Sequence, residues 1–389
     1  MKILIFEWGA GTFSYRDTIA AFDKMGINYR TVSYAFKDVN EDDFFENRFS
    51  KCIEEGDYDA VYSTNFFPLV AKCCYKKNLL YISWSYDNPL DVPDIEKSLG
   101  YETNRVFLFD KLQVAKYKNM GFDNVFHMPL AANVKRLEGI KPNGRDIATY
   151  SADISFVGKI YDSALPLLMS AMNERTRGYL DGIMNAQSRI YGYYLVDDLI
   201  TDELIEDISK QFKEQKVSDN INLTKEALSF AMGAQLTRNE RILLLNLLAA
   251  HFDLKLYSGN GAEYVKKANY MGTCRYYDEM PLIFKLSKVN LNINLRVSKS
   301  GIPLRAVDVL GAGGFLLSSY QNELDEYIGN GNGVVLYDSV EAAYELADYY
   351  IKHESDRMKI AAAGHEIVAK EFTYEKKLSE IFKQCGCLL

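Results

Sequence analysis

Four glycines and a proline surround one short apolar run in "SGIPLRAVDVLGAGGFLLSS", residues 300–319. Pro303 suits a first helical turn, and Leu304, Val307 and Leu310 are spaced to face a core. Arg305 and Asp308, three apart, share another face. Ser300, Gly301 and Ile302 precede the helix, so its first amides are expected to be bare, as an anion requires. Amide donors, a guanidinium and a carboxylate together suit a nucleotide diphosphate: the first two for phosphates, Asp308 for ribose hydroxyls. The same residues equally describe a tightly packed turn with solvated charges.

Other stretches carry chemistry in the same way. Asp87, in "SWSYDNP", is a candidate general base for a hydroxyl, or part of an Asp-Asn-Pro turn. Glu7 competes with it. "EWGAGTFS", residues 7–14, resembles a dinucleotide turn, but Ser14 replaces the third glycine and Tyr34 stands where an acidic ribose partner belongs. A nicotinamide site is therefore not expected. Gly9 and Gly11 are read as an acceptor-side loop or a plain turn. His127 is either a donor on that side or an ordinary strand histidine. Gly259 and Gly261, in "YSGNGAEY", would let backbone approach a base or phosphate, or simply make a tight turn. Tyr277, next to Tyr276, could flank a base or be an ordinary aromatic core residue, and Glu323 could lie near a donor or face solvent.

The surrounding elements must position these residues. Strand-like and helical runs alternate through residues 1–130, starting with "KILIFEW" and a helix entered through a capping box of Ser14 and Asp17. Residues 131–152 read as a linker. "DISFVGKIYD" opens a second alternation, interrupted by helices at 163–251 in which Thr237 and Glu240 form a second capping box. Strand signals return at "LKLYSGNG", "CRYY", "VNLNINL" and "GVVLY", and the tail "FTYEKKLSEIFKQ" is amphipathic. The pattern predicts an α/β fold: two Rossmann-like domains facing each other across a cleft, at 1–135 and 153–370, with 371–389 a helix packing back on the first.

Bulk properties narrow the function. With 389 residues, two domains are the default. A net charge of −8 argues against nucleic acid as the main partner. No apolar stretch reaches the ~20 residues of a membrane span, and the start lacks the pattern of a signal peptide. Six cysteines without C-x-x-C spacing are expected as reduced thiols of a cytoplasmic protein. Four scattered histidines form no metal motif, so neither metal nor cofactor is expected.

"FVGKIYD", "YYDEMPLIFKLSKVNLNINL", "SGIPLRAVDVLGAGGFLLSSYQNELDEYI" and "SWSYDNP" resemble the CgeB-like (spore maturation protein type) glycosyltransferases of the GT-B class. The resemblance covers roughly 1–130 and 153–385 and matches the 163–251 helices less well. It implies transfer of a sugar from a nucleotide diphosphate donor, UDP-linked, to a hydroxyl of a glycan, protein or small-molecule acceptor. Donor contacts fall mainly in the second half and acceptor contacts in the first. Asp308 stands where a ribose-binding glutamate falls in related retaining enzymes. Ser300 stands at the partner glutamate, so no carboxylate is carried over there. Lys159 matches a basic position facing the diphosphate, a role Arg305 could share. Two alternatives compete: a sugar-nucleotide epimerase, disfavoured by the few histidines, and a non-catalytic sugar-nucleotide-binding module, suggested by Ser300.

Overall fold

The computed structural model describes residues 1–9, 13–90, 95–214 and 223–387. The chain divides into two compact units. The first comprises Met1–Leu137, Ser300–Gly311 and Glu366–Leu389; the second comprises Glu138–Lys299 and Ala312–His365.

The first unit is built on strands β1 (Lys2–Trp8), β2 (Asn28–Tyr34), β3 (Ala60–Thr64), β4 (Leu80–Ser85), β5 (Asn104–Leu108) and β6 (Val125–His127). They form one parallel sheet in the order β2-β1-β3-β4-β5-β6. β3 is buried at every residue, Ser63 and Thr64 included, because helices cover both faces of the sheet. The strand order reverses direction between β1 and β3, so the loops after these strands diverge and leave room at the sheet's carboxyl edge.

The expected capping box at Ser14 is not formed. Ser14 makes no side-chain cap, and Asp17 is instead buried against Arg136, which donates from Nε and Nη2 at 2.8 Å each. A buried carboxylate is better served by a bidentate guanidinium than by one amide. The tail helix Tyr374–Gln384 buries Leu378, Ile381 and Phe382, with Phe382 5.9 Å from Phe22 of the helix Tyr15–Met25. The helix Leu304–Gly311 also belongs to this unit.

The second unit carries β7 (Ala152–Val157), β8 (Leu254–Tyr257), β9 (Asn269–Gly272), β10 (Ser287–Asn292), β11 (Leu316–Ser319) and β12 (Val335–Tyr337). They too form a parallel sheet, ordered β12-β11-β10-β7-β8-β9, with the reversal between β7 and β10. The strand expected at "CRYY" lies earlier, at β9. This edge strand is mostly exposed and lacks an apolar signal. Within "CRYY", Arg275 pairs with Asp278 and Glu279 at the start of the helix Glu279–Leu286. The linker contains two short helices, Val134–Gly139 and Gly144–Tyr150, the latter opened by a capping box of Asn143 and Asp146.

Between β7 and β8 lies the helical section, which ends in one continuous helix, Lys225–Ala249, capped by Thr224. The expected start at Thr237 and Glu240 is therefore overturned: both residues are mid-helix. Thr237 donates to the Gly233 carbonyl and accepts from the Arg296 amide, while Glu240 pairs with Arg296 at 2.7 Å. Tyr191 donates to the same carboxylate and lies 3.9 Å under the Arg296 guanidinium. This buried cluster anchors the loop after β10 to the long helix. Removing one partner leaves the other charge uncompensated. Glu240→Ala should therefore lower the unfolding free energy by about 3–5 kcal/mol in urea titration, whereas Thr224→Ala, a cap loss, should cost about 1 kcal/mol. Equal small losses would contradict the anchoring role.

Candidate functional site

Every strand of the first sheet except β2 delivers a chemically capable residue to its carboxyl edge. Glu7, 4% exposed, lies near the end of β1, and Gly9 follows with a φ of +64°. Gly11 lies outside the described residues. His127 closes β6 and is half-buried.

Asp87 is held by a residue that no motif indicated. Asn65, just beyond β3, adopts a left-handed φ of +69°. Its Oδ1 accepts from the Tyr86 and Asp87 amides at 2.9 and 3.2 Å, and its Nδ2 donates to Asp87 Oδ2 at 2.5 Å. Asp87 keeps one exposed side while protein crowds the others. That crowding pushes its carboxyl above the ordinary aspartate range, and the Asn65 hydrogen bond opposes the rise only in part. Asp87 is thus positioned and titratable, and its turn continues into a cis Asn88–Pro89 bond.

The carboxylate of Asp110, just after β5, corrects the expectation of bare amides at Ser300 and Gly301. Its Oδ2 accepts from the Ser300 amide at 3.0 Å, the Gly301 amide at 3.3 Å and Asn88 Nδ2 at 2.8 Å. Its Oδ1 accepts from the Ser300 hydroxyl at 2.8 Å and from the Leu112 and Gln113 amides at 3.0 and 3.1 Å. An internal anion therefore occupies the position where a diphosphate was expected. Gly301 is required for another reason: a Cβ there would stand 2.7 Å from the Phe109 carbonyl oxygen. Ile302 is fully buried, Asp308 is 3% exposed and Arg305 is half-buried.

In the second unit the reversal between β7 and β10 brings Lys159 to the carboxyl edge. Its side chain is exposed, and its carbonyl accepts from Arg241 Nη1. The other end of that guanidinium donates to the Ile293 carbonyl, so Arg241 ties the ends of β7 and β10 together. It also stacks on Phe156 and Tyr161, at 5.2 and 4.8 Å. Gly259 is exposed, whereas Gly261, with φ +97°, packs so closely on Ile160 that a Cβ would meet it at 2.3 Å. Tyr277 packs edge-on against Tyr276 at 5.0 Å, and Glu323 is buried. Among the described residues, no cluster of three or more His, Cys, Asp or Glu is placed to hold a metal, and no helix is long and apolar enough to cross a membrane.

Residues 238–383, which include most of the second sheet and the helix Leu304–Gly311, match the family described as glycosyl transferase-like. No curated protein matches the chain. Several solved structures resemble it throughout. HepE of Anabaena, solved with UDP and glucose, has a TM-score of 0.54 at 9% identity, covering 100% of both chains. Sucrose-phosphate synthase of Thermosynechococcus elongatus has a TM-score of 0.57 at 10% identity, covering 99% of each. AviGT4, a glycosyltransferase involved in avilamycin A biosynthesis, has 0.54 at 10%, covering 99% of this chain and 96% of its own. The fold is therefore of the GT-B type: two Rossmann-like units, with a helical insertion in the second. Within it, residues 238–383 are glycosyl transferase-like.

The Asp110 network makes a pH prediction. Burial alone would raise this carboxyl, but the donors from Ser300, Gln113 and Asn88 outweigh it and hold it below the usual value. A depressed folded pKa contributes stability above the unfolded pKa of about 3.9, lost as pH falls through the folded value. Asp110→Asn should cost about 2–4 kcal/mol at neutral pH. It should also flatten the acid limb of a stability–pH profile below about pH 4. An unchanged acid limb would remove Asp110 from this role.

Proposed function

We propose that the chain transfers a sugar from a nucleotide diphosphate donor, UDP-linked, to a hydroxyl of an acceptor, as a CgeB-like member of the GT-B class. The observation that carries the reading is the glycosyl transferase-like stretch, which includes the β10 side of the second unit's strand reversal. With the GT-B fold, it supports sugar transfer as the activity. HepE, solved with UDP-glucose, favours a UDP-linked donor.

In this reading Lys159 faces the diphosphate, and Gly259 and Tyr277 the base, all from the second unit. Ser300 and Gly301 hold Asp110 instead of phosphate. The acceptor oxygen bonds to the anomeric carbon as the bond from that carbon to the diphosphate oxygen breaks, its electron pair leaving with the diphosphate. The hydroxyl proton passes to Asp87, with Glu7 the competing base. Lys159 stabilises the charge that develops on the leaving group, so no resident metal or cofactor is invoked.

Two measurements test the assignment. Lys159→Ala removes an exposed cation, so UDP affinity by calorimetry should fall about tenfold with an unchanged circular dichroism spectrum. Unchanged affinity would move the diphosphate elsewhere. Asp87→Asn should lower kcat about 10²–10⁴-fold while the donor KM changes little. A base acts deprotonated, so kcat/KM should fall with decreasing pH through a limb above the usual aspartate value. Asn65→Ala, which removes a bond favouring the charged form, should shift that limb to higher pH.

A further inference from the structure

Lys159 combines an exposed side chain, unpaired among the described residues, with a backbone held on both sides. Just before it, the Gly158 amide donates to the Tyr257 carbonyl at 3.0 Å. Its own carbonyl accepts from Arg241 Nη1. Farther on, the Tyr161 carbonyl accepts from Arg238 Nη1 at 2.8 Å. Ile160 lies between them, fully buried, and both of its backbone groups bond to one side chain. Asn260 Oδ1 accepts from the Ile160 amide at 3.0 Å, and Asn260 Nδ2 donates to the Ile160 carbonyl at 2.6 Å.

The paired register of β7 and β8 ends at Val157 and Tyr257, so Asn260 carries the link between these two chains past the end of the sheet. A carboxamide can do this because it holds a donor and an acceptor side by side; an aspartate would lose the donor. Asn260 is itself placed by Ser258, whose Oγ accepts from the Asn260 amide at 3.3 Å and donates to Oδ1 at 3.2 Å. Gly261, at φ +97°, then lays its backbone on the Ile160 side chain. The Ser258 bonds alone describe an ordinary turn. The two bonds to Ile160 go beyond what a turn needs, and they end one residue from Lys159. A lysine on a loose loop loses chain entropy when it pairs with an anion, whereas one on an ordered loop loses only that of its own side chain. A charge held in place beforehand also stabilises a developing anion without reorganising.

We infer that Asn260 is a positioning residue of the transfer reaction: by clamping Ile160 it fixes the backbone from which Lys159 reaches the diphosphate. The inference rests on the reading of Lys159 as the diphosphate cation and adds a residue that acts through it.

The test is a double-mutant cycle on UDP affinity, measured by calorimetry on the full chain: wild type, Asn260→Ala, Lys159→Ala and the two combined. Asn260→Ala should weaken UDP binding about fivefold. Added to Lys159→Ala, it should weaken binding no more than about twofold further, because the cation it positions is gone. A merely structural residue would lower affinity by the same factor in both backgrounds. That result, or an unchanged affinity in Asn260→Ala, overturns the inference. Should the variant misfold, hydrogen exchange on the wild type decides. The Ile160 amide should be protected before UDP is added and stay so afterwards; an amide that exchanges freely until UDP binds overturns the clamp. A wild type that binds no UDP counts against the transfer reaction itself, whereas UDP binding weakened by Lys159→Ala but not by Asn260→Ala sinks the clamp alone.

Discussion

A carboxylate taken out of water is tolerable only when its lone pairs are filled, and Asp110 meets that condition with donors from three stretches of chain, one local and two remote. Two come from its own helix start at Leu112 and Gln113, and one from Asn88, beside the cis Asn88–Pro89 turn. The other three are the Ser300 and Gly301 amides and the Ser300 hydroxyl, nearly two hundred residues downstream. With every site occupied, none of these stretches can move without leaving a buried charge short of a partner. The turn that carries Asp87 and the start of the helix Leu304–Gly311 are therefore registered against the same atom pair. Placement of the candidate base follows from this constraint together with the Asn65 clamp.

Strand order explains why the candidate chemistry collects where it does. In each sheet, the two strands that flank the reversal send their connections in opposite directions, so backbone and side chains at that edge are not overlaid by a crossover. The first sheet fills this place with carboxylates, an asparagine and aromatic rings. The second fills it with Lys159 and with Arg241, whose guanidinium joins the carbonyls of Lys159 and Ile293. Each sheet thus gathers its own kind of charge at its carboxyl edge, acidic in the first and cationic in the second. A lysine beside Asp87 would pull its carboxyl down and weaken it as a base.

Much of the architecture was legible from periodicity. Buried parallel strands leave uninterrupted apolar runs, and their alternation with helices carried the two-sheet reading, including the helical section between β7 and β8. What failed were readings that relied on local capping rules. Ser14 with Asp17, and Thr237 with Glu240, have the spacing of capping boxes, yet tertiary partners claim them: Arg136 in one case and Arg296 in the other. A four-residue pattern records only what a local amide could accept, and a buried guanidinium from elsewhere offers more. The exposed strand β9 carried no apolar signal for a related reason, since it covers nothing on its outer side.

The same distinction governs the site. Asp87 and Lys159 could be singled out because each follows a recognisable strand and belongs to a reactive type. Asn65, Asp110 and Arg241 could not, because each acts through partners remote in sequence and sits in an unremarkable context. Asn65 follows an apolar strand without any motif, and its left-handed backbone would have been a reason to expect glycine. Here the asparagine side chain is what the position requires: only a residue tolerant of that conformation and carrying both an amide donor and a carbonyl acceptor can bind the Asp87 backbone and its carboxylate at once. Glycine would relieve the backbone and release Asp87. The conformational cost at Asn65 is therefore tied directly to holding Asp87 at the sheet edge.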